Sequence, residues 1–415
     1  MASSASRQIV LVNAAHFITH YSLLILPTAV LVMARPGGEF GDSYGPILTL
    51  ATAMFVLYGV GSLPQGWLAE RFGRKALMLT FCFGTGASLI AAGFVSSPLA
   101  LALALAAAGG FAAIYHPVGT AMLVEAAGAK PGRSIGVNGV FGNIGVASAP
   151  VVTAFLAAWI GWRAAFVAPG LLAIGLGLVW WREPEYDHAA HASSRPFPAI
   201  PPALVRRAVA VLLAIAIVSG LVFNAFTLLL PKLMQERLAG DASLISIVGF
   251  LAFAATLCGA VTQFTVGRLI DRTTLKRAFL PMALVLAPTL AALAVVEGWL
   301  VLPLAGLAAA VIFGQVTVNE TMTARYVAPA LRARLYSVRF FLGFLGSAAA
   351  APLVGLLHER TGNLTATTLV LAACAVATLV CALLFPDRRE ELEPELWANA
   401  AAPGPAREPA PAPAE

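Results

Sequence analysis

Three histidines, one glutamate and one arginine stand inside runs that are otherwise apolar. His16 and His20 are four residues apart, so on a helix they share one face, one turn apart. His116 lies in another apolar run. Imidazoles titrate near neutral pH and can carry protons. At this spacing His16 and His20 can also ligate a metal, with His116 as a third donor. Each can equally hydrogen-bond a neighbouring helix. The residues alone leave these three readings open. No Cys or Met clusters beside the histidines, which weakens a soft-metal site, and no resident metal or cofactor is expected.

Glu320 and Arg339, with Gln315 and Asn319, form a second group. Opposite charges on adjacent elements at similar depth invite a buried pair. Glu320 can exchange a proton and Arg339 can hold an anion; the pair can also be purely structural or an inner gate. Tyr21, Asn143 and Asn224 are further polar groups within apolar runs. The candidates for solute binding are therefore Tyr21, His20, His116, Asn143, Asn224, Gln315 and Arg339. Those for proton coupling are His16, His20, His116 and Glu320.

The elements that must position these groups are membrane spans. The chain is 59% hydrophobic and only 11% charged, too few charges for the surface of a soluble 415-residue protein. Apolar runs long enough to cross a hydrocarbon core of about 30 Å recur throughout. The runs are continuous rather than alternating, which excludes a barrel. The reading is an all-α membrane protein with twelve transmembrane helices in two six-helix pseudo-symmetric halves. The spans are placed at 8–34, 43–69, 75–96, 98–125, 132–159, 163–181, 204–234, 243–270, 277–297, 299–324, 331–357 and 363–385. The first is too long and too polar for a cleavable signal peptide. At about 1.5 Å per residue, His20 lies near the midplane, while His16, His116 and Arg339 lie roughly 7 Å and Glu320 roughly 12 Å to the cytoplasmic side. Cys82, Cys258, Cys374 and Cys381 sit in apolar runs without ligand spacing and read as small buried hydrophobes.

Charge placement gives the orientation. Of 26 Lys and Arg, five (Arg35, Arg163, Lys232, Arg237 and Arg360) fall on one side and Arg339 within a span; all the others share the second side. That bias puts both termini in the cytoplasm. The basic pI of about 9.4 is therefore topology, not a nucleic-acid signal. Residues 1–182 read as one bundle, 183–203 as a charged, Pro-rich linker, 204–386 as the second bundle, and 387–415 as a disordered tail. Glu125 and Arg133 read as a pair across the fourth loop.

One loop pattern occurs twice. Gly66-Trp67-Leu68-Ala69-Glu70-Arg71-Phe72-Gly73-Arg74-Lys75 and Gly267-Arg268-Leu269-Ile270-Asp271-Arg272-Thr273-Thr274-Leu275-Lys276-Arg277 lie 201 residues apart, each between two apolar runs. Pro150 and Pro352 repeat at nearly the same offset and would kink the fifth and eleventh spans. Gly66 would let helices approach closely, and Gly73 would supply a tight reversal. The acids Glu70 and Asp271 lie at helix C-termini, where they need compensation. Two such halves put a solute site between them near the midplane.

These residues resemble the loop signature of the major facilitator superfamily, G-x-x-x-D-R-x-G-R-K. It is matched at Gly66, Arg71, Gly73, Arg74 and Lys75, with Glu70 for the Asp and a degenerate second copy. The resemblance covers about residues 8–385. It implies a cytoplasmic gate at Gly66, Glu70, Arg71, Gly73, Arg74, Lys75, Asp271 and Arg272. Within that family, His16 to Tyr21 with Pro27, Tyr115-His116-Pro117, and Asn138 to Gly145 resemble segments of fosmidomycin-resistance-type efflux proteins. His20 and Val118 replace acids of that pattern.

The resemblance and the repeat together imply a secondary active transporter working by alternating access. It would move a small polar solute, an anion included, or a drug, by proton-coupled efflux from a monomer in a bacterial inner membrane. No phosphate loop of the G-x-x-x-x-G-K-[ST] type is present, so ATP does not drive it directly. Two alternatives remain: an importer of a metal, metal chelate or nutrient, and a non-transporting receptor or scaffold. No nucleophile–base set marks an enzyme.

Overall fold

The structure, a computed structural model, describes residues 4–127, 131–184, 200–239, 244–327, 329–393 and 397. Most of the linker and of the tail fall outside the described residues, as do the side chains of Glu125 and Arg133. Twelve helices are long and apolar enough to cross a membrane, and no strand occurs among the described residues. They are α1 (Ala5–Met33), α2 (Tyr44–Gly61), α3 (Arg74–Phe94), α4 (Pro98–Leu123), α5 (Gly136–Trp159), α6 (Trp162–Arg182), α7 (Pro202–Leu238), α8 (Ile245–Ile270), α9 (Leu275–Val295), α10 (Gly298–Thr323), α11 (Val338–Thr361) and α12 (Thr365–Leu384). Each matches a span read from the sequence. The chain is a multi-pass membrane protein.

Helical backbone is the one way for an isolated segment to satisfy its own polar groups in lipid, so breaks within spans are informative. α1 breaks at Leu24 and Ile25, just before Pro27 in the first turn of the next helical segment. α4 breaks after Ala112 and restarts at Tyr115, with Pro117 in the new first turn, where a missing N–H costs little. That restart delivers Tyr115 and His116 to the interior. Pro150 and Pro352, by contrast, lie inside helices that continue past them.

The two halves pack by the same rule. A Cβ on Gly145 of α5 would lie 2.4 Å from the Phe17 carbonyl oxygen of α1, and one on Gly346 of α11 would lie 2.2 Å from that of Ile217 of α7. Gly145 and Gly346 are 201 residues apart, the offset of the loop motifs. Close backbone approach at a small residue is how helices gain contact in lipid, where water supplies no drive.

Contact between the halves runs along α2 with α11 and α5 with α8. The face that bears the motif loops is here termed the motif face. On the opposite face the halves touch. A Cβ on Gly45 would fall 2.3 Å from the Gly355 carbonyl oxygen, and the Gly45 N–H donates to Glu359 Oε1 at 2.9 Å. Gly249 likewise meets the Pro150 carbonyl oxygen and the Ala154 side chain. His358 Nε2 bonds Glu236 at 2.7 Å and the ring packs edge-on to Tyr44. Toward the motif face the contact ends. No described atom lies within 4 Å of a Cβ built on Gly66, Gly136, Gly139 or Gly267. The close approach expected at Gly66 is not seen among the described residues.

Candidate functional site

The histidines converge where the halves part. His16 Nδ1 donates to the Asn138 carbonyl oxygen at 2.7 Å, since a carbonyl can only accept. In the neutral ring this leaves a lone pair on His16 Nε2, which accepts from His20 Nε2–H at 3.1 Å. His116 stands at 5.3 and 5.4 Å, centroid to centroid, from those two rings. Tyr115 stacks on His16 at 4.8 Å. Gly142 makes the room: a Cβ there would lie 2.6 Å from His16 Cε1.

Asn138 ties this cluster together. Its Nδ2 donates to Asn13 Oδ1 at 2.9 Å and to the Tyr115 hydroxyl oxygen at 2.8 Å, joining α1, α4 and α5. The sequence reading favoured Asn143 from the same segment. Asn143 is buried, with its Nδ2 unpartnered among the described residues. A signal for Asn13 was present, because Asn13, His16 and His20 lie on one helical face.

His116 carries the site across to the second half. Its ring stacks on Phe340 of α11 at 5.7 Å and meets Tyr58 of α2 edge-on at 6.2 Å. Tyr58 in turn packs on Phe344 at 4.6 Å. Next to Phe340, Arg339 donates to Glu320 Oε1 at 2.8 Å. Arg339 is 11% exposed and Glu320 43%, so the pair is reached from the acid's side. Gln315 and Asn319 are buried one turn apart on α10, with Gln315 Nε2 and Asn319 Oδ1 unpartnered among the described residues. Tyr58, Phe340 and Phe344 were not among the candidates, since apolar-looking aromatics in a span carry no signal of their own.

Two further candidates have partners of their own. Tyr21 is buried, with its hydroxyl 3.5 Å from Thr153 Oγ1 of α5. Asn224 donates to Ser347 Oγ at 2.6 Å and to the Gly220 carbonyl oxygen at 3.0 Å, joining α7 to α11.

The motif loops differ in their turns and contacts. Gly73 has φ +84°, the reversal expected of it. Arg71 lies over the rings of Trp67 and Phe72, and Lys75 bonds the carbonyl oxygens of Trp181 and Glu183. Glu70, Asp271 and Arg272 are exposed, and neither acid has an ion pair among the described residues. The second turn, 271–274, is longer and needs no positive φ, so Thr274 can replace the glycine. Thr274 Oγ1 bonds Asp387 instead.

Residues 387–393, read as the start of a disordered tail, fold back onto this turn. Glu391 is buried, accepting from the Leu275 N–H at 3.0 Å and from the Tyr326 hydroxyl, with Arg325 Nη1 at 3.5 Å. Burial pushes its carboxyl above the ordinary range despite Arg325. Burial, and then the carboxylate itself, raise the Tyr326 hydroxyl too, so it remains a donor. The polar composition of this segment hid a docking that depends on one acid capping a helix start.

Two repeated helical halves, closed on one face around a mid-depth polar cluster, define a class of membrane protein built for passage or sensing. The profile of the Major Facilitator Superfamily matches residues 12–314 and, in a second overlapping match, 240–410; the chain belongs to that family. A gallate transporter of Pseudomonas putida is 29% identical over 169 residues, 40% of this chain and 36% of the relative. The membrane sensor protein UhpC of Salmonella typhimurium is 33% identical over 135 residues, 32% of this chain and 30% of the relative. A probable 4-methylmuconolactone transporter of Cupriavidus pinatubonensis is 27% identical, over 60% of this chain and 59% of the relative. The chain thus spans between about a third and three-fifths of these relatives. A bacterial homolog of the human lysosomal transporter Spinster, in its inward-facing, unoccupied conformation, shares the fold with TM-score 0.68. Its identity is 14%, over 98% of this chain and 100% of that one.

Proposed function

We propose that this protein is a secondary active transporter of a small organic anion, working by alternating access. The observation that carries the proposal is the packing. The halves are sealed at Gly45–Gly355 and Gly249–Pro150, while no described atom packs against Gly66 or Gly267, and the polar cluster lies between these levels. Rocking about that cluster would exchange the sealed face. The charge bias supports a cytoplasmic motif face with both termini inside; a bacterial inner membrane and a monomeric working unit complete the reading.

Arg339 is the anion contact, and Glu320 is its partner when no solute is bound. Protonating Glu320 removes the competitor, so proton and anion bind together. That linkage favours cotransport, and an inward proton gradient then drives uptake. Efflux by exchange, the direction suggested by the likeness in α1, α4 and α5, requires proton and solute to compete for one group. The names of the gallate and 4-methylmuconolactone transporters support an organic acid or its lactone as the solute class.

Proteoliposomes preloaded with benzoate-type acids, assayed for counterflow at fixed pH and then under an imposed gradient, test both points. Anion accumulation driven by external acid supports cotransport; accumulation driven by internal acid supports exchange. Anion-dependent thermal stabilisation without any counterflow would replace the transport reading with a sensor, the second reading favoured by the similarity to UhpC.

A further inference from the structure

The three histidines form a group apart from the Arg339–Glu320 pair, and the anion and proton steps proposed above make no use of it. We propose that His16, His20 and His116 bind one transition-metal dication of the zinc or cobalt class. The ligand nitrogens of all three lie within 4.8 Å of one another. The His16 and His20 Nε2 atoms, 3.1 Å apart, already sit near the edge length of a tetrahedral site, about 3.3 Å for metal–nitrogen bonds of about 2.05 Å. Closing the third bond requires the His116 ring to move toward the other two, out of its stack on Phe340.

His16 is oriented as a metal ligand is. Its Nδ1–H is held by the Asn138 carbonyl oxygen, which aims the Nε2 lone pair into the group. Tyr115 stacks on one side of this ring, and Gly142 leaves it room against α5. Phe340 stacks on the His116 ring. A hydrogen-bonded pair accounts for His16 and His20 alone; it gives no reason for a third imidazole to complete the group.

For His20 to join, its proton moves from Nε2 to Nδ1, so the ring stays neutral and the hydrogen bond to His16 gives way to two metal bonds. Three neutral imidazoles leave a fourth position and both charges of the ion uncompensated. Water, hydroxide or an anionic solute would fill that position. Imidazole donors select the zinc, cobalt, nickel and copper group over magnesium and calcium, which take oxygen.

The test is a Co2+ titration of the purified full-length protein in detergent, read by visible absorption. The expected result is one equivalent with the intense bands of a tetrahedral nitrogen site, displaced by Zn2+ and untouched by excess Mg2+. His16→Gln, His20→Gln and His116→Gln should each weaken binding at least tenfold, and Gly142→Ala should weaken it by displacing the His16 ring. Absence of a stoichiometric site, or binding that survives all three histidine variants, overturns the proposal. Should a variant not fold, X-ray absorption of Zn2+ on the unmodified protein decides. A shell with three imidazole nitrogens at about 2.0 Å supports the site, and an oxygen-only shell refutes it. No step needs transport, so failure here is separable from failure of the counterflow assay.

Discussion

Asn138 of α5 and Arg339 of α11 lie 201 residues apart, at matching positions of two matching helices. Each reaches across to the helix before it: Asn138 to Tyr115 of α4, Arg339 to Glu320 of α10. The first contact is neutral, buried and knitted to histidines. The second is charged, and its acid is 43% exposed. Asn138 and Arg339 hold matching positions but their partners do not, since the offset carries Tyr115 to Val316, one turn from Glu320; the cross-link has shifted as its chemistry divided. The glycine contacts Gly145–Phe17 and Gly346–Ile217 show what stayed common. His16 shows what did not, since the matching contact beside Gly343 is made to the Ala216 carbonyl oxygen, 3.5 Å from the glycine's ideal Cβ.

That division can be broken most directly at Arg339. Arg339→Gln should lower affinity for an organic anion roughly 10- to 100-fold, the worth of a charge-assisted hydrogen bond. A neutral analogue should lose far less, read by competition in the same vesicles. Equal loss for both would make Arg339 as structural as Asn138. Next come the shared contacts. Gly145→Ala and Gly346→Ala each insert a methyl against backbone and should destabilise the protein by about 1–3 kcal/mol, seen as a lower unfolding temperature. A large effect at one and none at the other would end the packing equivalence.

Asn138→Ala strands the Tyr115 hydroxyl and Asn13 and should cost about 1–3 kcal/mol of stability. Anion affinity should remain close to that of the unmodified protein. A large fall in affinity would mean that the two cross-links share one job.

The docked segment after α12 supplies a pH test. The raised carboxyl of Glu391 makes its docking strongest at low pH, and docking weakens as pH climbs from the ordinary value of 4.5 through the raised one. Proteolysis near residue 393 should therefore accelerate with rising pH, and Glu391→Gln should flatten the profile. Acceleration on acidification instead would mean that the ionised acid holds the segment through Arg325. The smallest effect is expected at the first motif. Glu70→Gln should change stability by less than about 0.5 kcal/mol, because Glu70 is exposed and outside any ion pair among the described residues. A change in transport rate would then assign Glu70 to the conformation closed on the motif face.

Much of this was legible because hydropathy and charge bias act over whole spans. The meeting of His16, His20 and His116 followed from helical spacing and matched depth, as did Glu320 with Arg339. Asn138 against Tyr115, and Phe340 beneath His116, depended on the rotation of neighbouring helices, which no single run encodes. The break that delivers Tyr115 inward was signalled only by Pro117.

Gly45 and Gly355 meet backbone to backbone, with no side chain of either between them. Side chains released from a packed seal regain rotamer freedom, a gain of up to about 2 kcal/mol each for long residues. Here the closest approach is backbone, and only Glu359 and Thr49 bring side chains against it. Entropy gives little help in parting this face, so its opening rests on the few polar contacts beside it. Of these, the Gly45 N–H on Glu359 is the hydrogen bond that crosses between the halves and must be exchanged for water on opening.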